Sequence, residues 1–93
     1  MNYSLARMGK DENYQSIYKA NTVFSEDMSV KLIFELNDTE SKDINAERLW
    51  VTITDVDGDK LVGVIDNEPL KVDLKEGDTI HFVRQNVFDV YTE

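Results

Sequence analysis

The stretch that decides the fold runs over residues 49–65 and reads LWVTITDVDGDKLVGVI. Its two ends, LWVTIT at 49–54 and KLVGVI at 60–65, are rich in β-branched and aromatic residues, which are typical of strands. Between them, Asp57-Gly58 is a dipeptide that supplies the φ > 0 positions of a turn whose twist matches paired strands. The stretch therefore predicts a β-hairpin.

Within this hairpin, the alternation of side chains assigns the two faces of the first strand. One face carries Leu49, Val51 and Ile53, and the other carries Trp50, Thr52 and Thr54. Gly63 interrupts the second strand, and a glycine at such a position indicates a bulge or a close approach of another backbone.

Upstream of the hairpin, residues 28–36 (MSVKLIFEL) alternate in the same way. Every second residue from Met28 is apolar, whereas Lys31 and Glu35 point to the opposite side. This pattern predicts a strand with one buried face. The polar stretch that follows, NDTESKDIN at 37–45, predicts a loop.

The N-terminal part of the chain gives a weaker pattern. Asp11-Glu12 is suited to open a short helix in which Tyr14, Ile17 and Tyr18 share one face. Asn21-Thr22 and the β-branched Val23 weaken its far end. We expect a short N-terminal helix or an irregular segment over 1–25, followed by a β core over 28–91.

Downstream of the hairpin, short apolar runs are separated by turn-forming residues. We expect a turn at 66–69, a short strand at 70–72, a turn at 75–78, a strand at 79–83, and an edge strand or a single helical turn over 86–91. Five or so short strands joined by tight turns favour a small curled antiparallel sheet or an SH3-like barrel. With the N-terminal helix, the fold class is α+β and β-dominated, in a single domain over 1–93.

Composition limits the classes of function. The chain has 93 residues, no cysteine and a formal net charge of -9. The lack of cysteine excludes disulfides and thiolate metal sites, and no apolar run approaches the ~20 residues of a membrane span, so we expect a cytoplasmic protein without a membrane partner. The acidity disfavours nucleic acid and favours a protein partner with a neutral or basic surface. The oligomeric state is left open.

The acidic residues Asp55, Asp57 and Asp59, with Asp66 behind them, invite a calcium interpretation. The EF-hand pattern requires glycine after the third acidic residue, where this chain has Lys60, and it requires flanking helices rather than strands. We therefore expect no metal site and assign the run to the hairpin.

Catalytic chemistry has little support in the sequence. His81 is the single histidine, in a predicted strand whose Ile80 and Phe82 face the core. A metal site needs further ligands, a serine nucleophile lacks a glycine-flanked elbow, and the four scattered glycines form no phosphate-binding loop. We expect no enzyme activity, no catalytic residues and no cofactor. Trp50, Phe88 and Tyr91 are suited to an aromatic peptide groove, although packing is the commoner use of aromatics in a small domain.

Four segments in order carry a resemblance: WVTIT at 50–54, the Gly-Asp turn at 58–59, Asn-Glu-Pro at 67–69 and LKEGD at 74–78. In this arrangement residues 28–91 resemble the YegJ-like bacterial domain of unknown function. Members of that family commonly end in Asp-Trp, where this chain has Asp89-Val90-Tyr91. The resemblance implies a bacterial origin, a small α+β or β-barrel domain and no established activity.

The Asn-Glu-Pro segment has two interpretations. In the structural one, Asn67 takes a left-handed turn position and Pro69 supplies a rigid φ. In the functional one, Asn67 and Glu68 form a rim presented to a ligand. The candidate partner-binding residues are Trp50, Asp66, Asn67, Glu68 and Pro69.

These observations predict a noncatalytic binding or accessory domain that takes part in protein–protein interaction. Two alternatives are open: an acidic immunity-type protein that masks a basic partner, and a divergent enzyme that binds a small ligand.

Overall fold

Six strands form one antiparallel sheet in the computed structural model, which describes residues 2–10, 12, 14–37 and 46–91. The strands are β1 (Tyr3–Leu5), β2 (Ser29–Leu36), β3 (Ala46–Asp57), β4 (Lys60–Ile65), β5 (Thr79–Val83) and β6 (Val87–Val90). A single 3-10 turn, Arg84–Asn86, connects β5 to β6. Of the two alternatives expected for residues 86–91, the strand is therefore correct, and the helical turn precedes it.

The sheet follows the order β1-β2-β3-β4-β5 and curls into a nearly closed, barrel-like shape. β3 pairs along almost the whole of one edge of β2. The other edge of β2 is shared: β1 pairs with residues 34–36 and β6 with residues 30–32. The β-dominated, barrel-like part of the predicted fold class is therefore confirmed.

The core lies on the concave side of the sheet and is built by the alternation read from the sequence. Leu49, Val51 and Ile53 are almost fully buried, whereas Trp50 and Thr52 on the opposite face are half-buried. The other main contributors are Val30, Leu32, Phe34, Leu61, Ile65, Ile80, Phe82 and Val87. Period-two burial follows from the pleat of the strands.

The predicted hairpin is confirmed, with its turn one residue further along than expected. Asp57 still pairs with Lys60, so the two loop residues are Gly58 and Asp59. Gly58 has φ +62°, and Asp59 does not have a positive φ. This combination is that of a type II′ turn, which places glycine at its first central position.

Gly63 confirms the close approach expected for a glycine inside a strand. A Cβ atom there would lie 2.5 Å from Val51 Cγ1 and 2.7 Å from the main-chain oxygen of Thr52. The facing strand β3 has a register shift between Ile53 and Asp55 at this point. The two strands are therefore too close for any side chain at residue 63.

A second, smaller apolar cluster lies on the convex face. Ala6, Tyr14 and Ile33 are buried together, with Met8 and Phe88 packed against them. Ile33 follows Leu32 on β2, so this strand is buried on both faces at that point. In the β2–β6 pairing, Lys31 is opposite Asp89 and Leu32 is opposite Val87, so Phe88 is an extra residue without a partner on β2. This register shift allows Phe88 to reach the cluster.

The predicted N-terminal helix is wrong, and with it the α+β class. Tyr14 packs in the convex-face cluster, Tyr18 packs against the main core, and Ile17 between them is 63% exposed. The three residues do not share one buried face, which is the arrangement a helix requires. A helix this short depends on such packing, because its intrinsic stability in water is marginal.

Residues 14–27, here called the strap, are instead hydrogen-bonded to β6, to Arg84 and to β3. The main-chain N–H of Ile17 donates to Phe88, and that of Asp27 donates to Ile53. Between these points the guanidinium of Arg84 donates to the carbonyl oxygens of Thr22 (2.7 Å) and Ala20 (2.8 Å). Main-chain groups of the strap are thus satisfied by the barrel rather than by a helix.

Two expectations for the segment after β4 are wrong, and the expected loop over 37–45 is largely not described. Residues 70–72 are not a strand, and their N–H groups donate to the carboxylate of Glu47 instead. Asn67 does not have a positive φ, so its predicted left-handed position is wrong. The loop predicted over 37–45 lies, apart from Asn37, outside the described residues.

Within the described part of the chain, no helix is long and apolar enough to cross a membrane.

Candidate functional site: a groove over Tyr91

Trp50 stands on the convex face of the sheet, where the alternation along β3 places it. Its cross-strand partner on β2 is Lys31, whose Nζ lies 4.7 Å from the centroid of the indole ring. The ring is half-buried. The tryptophan therefore presents part of its surface outward, while its main chain belongs to the centre of the sheet.

Tyr91 forms an aromatic corner with Trp50. It follows β6 directly, and its main-chain N–H donates to the oxygen of Ser29 at 2.9 Å, which extends the β2–β6 pairing by one residue. The two ring centroids are 5.9 Å apart with an interplanar angle of 87°. This edge-to-face geometry is favourable for aromatic pairs. The Tyr91 side chain is nevertheless 59% exposed.

Asp66 completes a cleft at this corner. It follows β4, and its N–H donates to the oxygen of Trp50 at 2.9 Å, so the end of β4 sets its position beside the indole. One carboxylate oxygen is 3.4 Å from the hydroxyl of Thr52. A cleft of about 260 Å³ is lined by Ser29, Trp50, Asp66 and Tyr91. We call it the aromatic cleft.

A second cleft meets the first at Tyr91. It has a volume of about 430 Å³ and runs between the strap and β6. Its lining residues are Ile17, Tyr18, Lys19, Thr22, Met28, Asp89, Val90 and Tyr91. The two clefts, here together called the Tyr91 groove, share the exposed ring of Tyr91, and the second also contains the exposed side chain of Ile17.

The five sequence-predicted residues do not form one site. Trp50 and Asp66 line the aromatic cleft together. Asn67 supports it from behind, because its side-chain carbonyl accepts the N–H of Trp50 at 2.6 Å. Glu68 and Pro69 line a separate depression with Leu74, Lys75 and Glu76.

The aromatic triplet considered in the sequence is also divided. Tyr91 lies against Trp50, whereas Phe88 packs in the convex-face cluster, with the guanidinium carbon of Arg48 5.0 Å from its ring centroid. Ile17 is a groove residue that the sequence did not indicate. The signal available for it was a helical pattern, which the strap does not follow.

The groove contains two carboxylates, those of Asp66 and Asp89. The ion pair of the described residues joins Lys10 to Glu35, away from the groove. Neither Asp66 nor Asp89 forms an ion pair with a described residue. Lys31 is the cross-strand neighbour of both Trp50 and Asp89.

Glu47 anchors the segment that follows the aromatic cleft. Its carboxylate accepts hydrogen bonds from the N–H groups of Leu70 (2.6 Å), Lys71 (2.9 Å) and Val72 (3.1 Å). Partial burial raises the pKa of this carboxyl group, but the three hydrogen bonds and the charge of Lys71 outweigh that effect and lower the pKa overall. The loop is thereby fixed while Val72 is buried in the core.

The residues considered for catalysis or metal binding lie elsewhere. His81 is exposed on β5 and is not among the residues that line the Tyr91 groove. Asp55 and Asp57 are exposed residues of β3, and Asp59 is in the hairpin turn. Among the residues that the structure describes, no group of three or more histidine or acidic side chains is placed to hold a metal ion.

The fold and the groove define a small β-sheet domain with an exposed aromatic surface. Residues 7–92 match the family described as "Uncharacterized protein conserved in bacteria (DUF2314)", and the chain belongs to that family. No curated protein and no solved structure matches the chain significantly. A bacterial family of unknown function is thus confirmed, whereas the YegJ name and its motif pattern are not.

Proposed function

We propose that the protein is a noncatalytic binding domain that recognises an extended segment of a partner protein in the Tyr91 groove. The observation that carries this proposal is the position of Tyr91, which is largely exposed and shared by two adjoining clefts. Aromatic residues that are rigid and exposed beside a cleft are typical anchors of protein interfaces.

The shape of the groove supports a segment of chain rather than a small metabolite. It consists of two surface clefts that share Tyr91, and it is lined by residues of β2, β3, β6 and the strap. Small-molecule sites bury most of their ligand in a concave cavity, whereas peptide-recognition grooves offer successive side-chain pockets along a surface. The position of the one histidine outside the groove also supports a binding role over acid–base catalysis.

The charge of the chain supports a partner with a neutral or basic surface. A formal net charge of -9 repels acidic surfaces and attracts basic ones over roughly 8–10 Å at physiological salt. The lack of cysteine is compatible with the reducing cytoplasm in which we expect the protein to act.

The test is a selection of peptides from a displayed random library on the purified protein. Selected peptides should change the indole N–H resonance of Trp50, which is the single tryptophan of the chain. Tyr91→Ala should weaken their binding at least tenfold. Leu70→Ala, which removes a large apolar side chain that is 86% exposed outside the groove, should leave the affinity unchanged. The proposal fails if repeated selections enrich no sequence, or if Tyr91→Ala binds as well as the unmodified protein.

A further inference from the structure

We infer that the aromatic cleft is the pocket for an arginine side chain of the partner. This inference rests on the proposed function and adds the chemistry of the anchoring residue. It is drawn from three features of the cleft: the two aromatic rings, the carboxylate of Asp66, and the absence of a cation paired with that carboxylate among the described residues.

The aromatic corner supplies two ring surfaces at nearly a right angle. The rings of Trp50 and Tyr91 have centroids 5.9 Å apart and an interplanar angle of 87°, and both residues line the cleft. A cation over the face of an aromatic ring is attracted by the ring quadrupole, and tryptophan is the strongest such partner. The volume of about 260 Å³ is suited to one long side chain.

Asp66 supplies the opposite charge at the wall of the cleft. Its main-chain N–H donates to the oxygen of Trp50, which places the two residues side by side, and one carboxylate oxygen is only at the limit of contact with Thr52. The carboxylate is exposed, so its attraction for a cation in water is modest by itself. Together with two aromatic walls it selects a ligand that is both flat and positive.

Arginine meets this requirement better than lysine. A guanidinium is planar, stacks on aromatic faces and donates two parallel hydrogen bonds to a carboxylate, whereas an ammonium is compact and strongly hydrated. The molecule itself already uses this contact elsewhere, since Arg84 lies 4.7 Å from the ring centroid of Phe24.

Lys31 provides an internal check of the inference. Its ammonium lies over the indole, although Lys31 is not a lining residue of the aromatic cleft. A positive charge at this place competes with an incoming cation for the same ring. Removing it should therefore strengthen the binding of arginine, and it should not strengthen the binding of a neutral ligand.

The experiment titrates the protein with four single-residue probes, the N-acetyl amides of arginine, lysine, norleucine and glutamate. The Trp50 indole N–H resonance reports binding. We expect the arginine probe to bind at least threefold tighter than the lysine probe and at least tenfold tighter than the other two. An equal response to arginine and norleucine would overturn the inference, and so would tighter binding of lysine than of arginine.

Variants locate the site. Asp66→Asn, which keeps the shape of the residue, should weaken the arginine probe about three- to tenfold and leave norleucine unaffected. Asp73→Asn, an exposed aspartate outside the cleft, is the matched control and should change nothing. Lys31→Met should strengthen arginine at least twofold. An unchanged arginine affinity in Asp66→Asn, with the protein still folded, contradicts the inference.

The two proposals fail separately. If the selected peptides bind in the Tyr91 groove but show no enrichment of arginine, the peptide-binding function stands and the arginine pocket is excluded. If the arginine probe binds in the cleft but no peptide is selected, the cleft is a guanidinium-binding pocket, and the recognition of an extended peptide segment is excluded.

Discussion

The side-chain carbonyl of Asn67 accepts a hydrogen bond of 2.6 Å from the main-chain N–H of Trp50. β4 has ended by this point, and the amide group of Asn67 takes the place of the next main-chain acceptor on the edge of β3. The Asn67 side chain thus extends the β3–β4 hydrogen-bond pattern by one bond beside the aromatic cleft. The residue is part of the framework of the site rather than part of its surface.

Asn67→Ala should therefore destabilise the protein by about 1–2 kcal/mol, because the half-buried N–H of Trp50 loses its acceptor. The free energy of unfolding can be measured by urea titration with the fluorescence of Trp50 as the signal. Asn21→Ala is the matched control, since Asn21 is an exposed residue of the strap. Equal stability of the two variants would show that the bond contributes nothing.

Glu47→Gln should destabilise the fold by about 1–3 kcal/mol at neutral pH, because a neutral amide oxygen accepts the three N–H groups of residues 70–72 less strongly than a carboxylate. Thermal and urea unfolding measure the loss. Glu76→Gln is the control, since Glu76 is exposed and lies at the rim of a different depression. A loss as large in the control would remove the special role of Glu47.

The contribution of Glu47 should also depend on pH. Its pKa in the folded protein is lowered from an ordinary value of 4.5, so the unfolded state takes up the proton first as the pH falls. The stability that the ionised carboxylate supplies is fully present above about pH 5 and is lost as the pH falls through the lowered pKa. The difference in unfolding free energy between the unmodified protein and Glu47→Gln should shrink accordingly in acid. A difference that is constant down to about pH 2 would contradict this.

Gly63→Ala should be the more damaging of two glycine substitutions. The added methyl group meets Val51 and the main chain of Thr52 within 2.7 Å, so the strands must separate. We expect a loss of about 2–3 kcal/mol, as for overpacking of a core. Gly58→Val has open space around it and meets only the resistance of a β-branched residue to φ +62°, with a loss of about 1 kcal/mol. Melting temperatures in the reverse order would mean that the β3–β4 contact is misplaced.

Arg84→Lys should loosen the strap. Lysine keeps the positive charge but lacks the planar guanidinium, whose two separate nitrogens reach the carbonyl groups of Thr22 and Ala20 while its carbon lies over Phe24. The N–H of Ile17 should then exchange with solvent at least tenfold faster, which hydrogen exchange followed by NMR can measure. Arg48→Lys, whose guanidinium lies over Phe88 on the convex face, is the control and should leave this amide protected.

The sheet was largely predictable because its signals are local. The alternation over residues 28–36 and 49–54, the hairpin glycine and the place of Gly63 each depend on neighbours within one strand or turn. The turn was displaced by one residue because both Asp57-Gly58 and Gly58-Asp59 are suitable central pairs. Only the pairing of Asp57 with Lys60 distinguishes them.

The parts that could not be predicted depend on contacts between distant residues. Nothing in the sequence indicates that Glu47 will bind the N–H groups of residues 70–72. The strap looked like a helix because Tyr14, Ile17 and Tyr18 have helical spacing, but its aromatic residues pack in two separate clusters. To predict the site, one would need to know that β6 pairs with β2, because this pairing brings Tyr91 next to Ser29 and so next to Trp50.

The divided edge of β2 has a consequence for how the chain acquires its structure. Residue 30 pairs with residue 90, and residue 36 pairs with residue 3. One edge of β2 therefore pairs with segments from both ends of the described sequence. Closing such long loops is slow compared with forming a local hairpin. During synthesis the β3–β4 hairpin can form early, while the part of this edge at residues 30–32 stays open until β6 has left the ribosome. The apolar residues of β2 are exposed for that interval, which is when the nascent chain is most prone to aggregate.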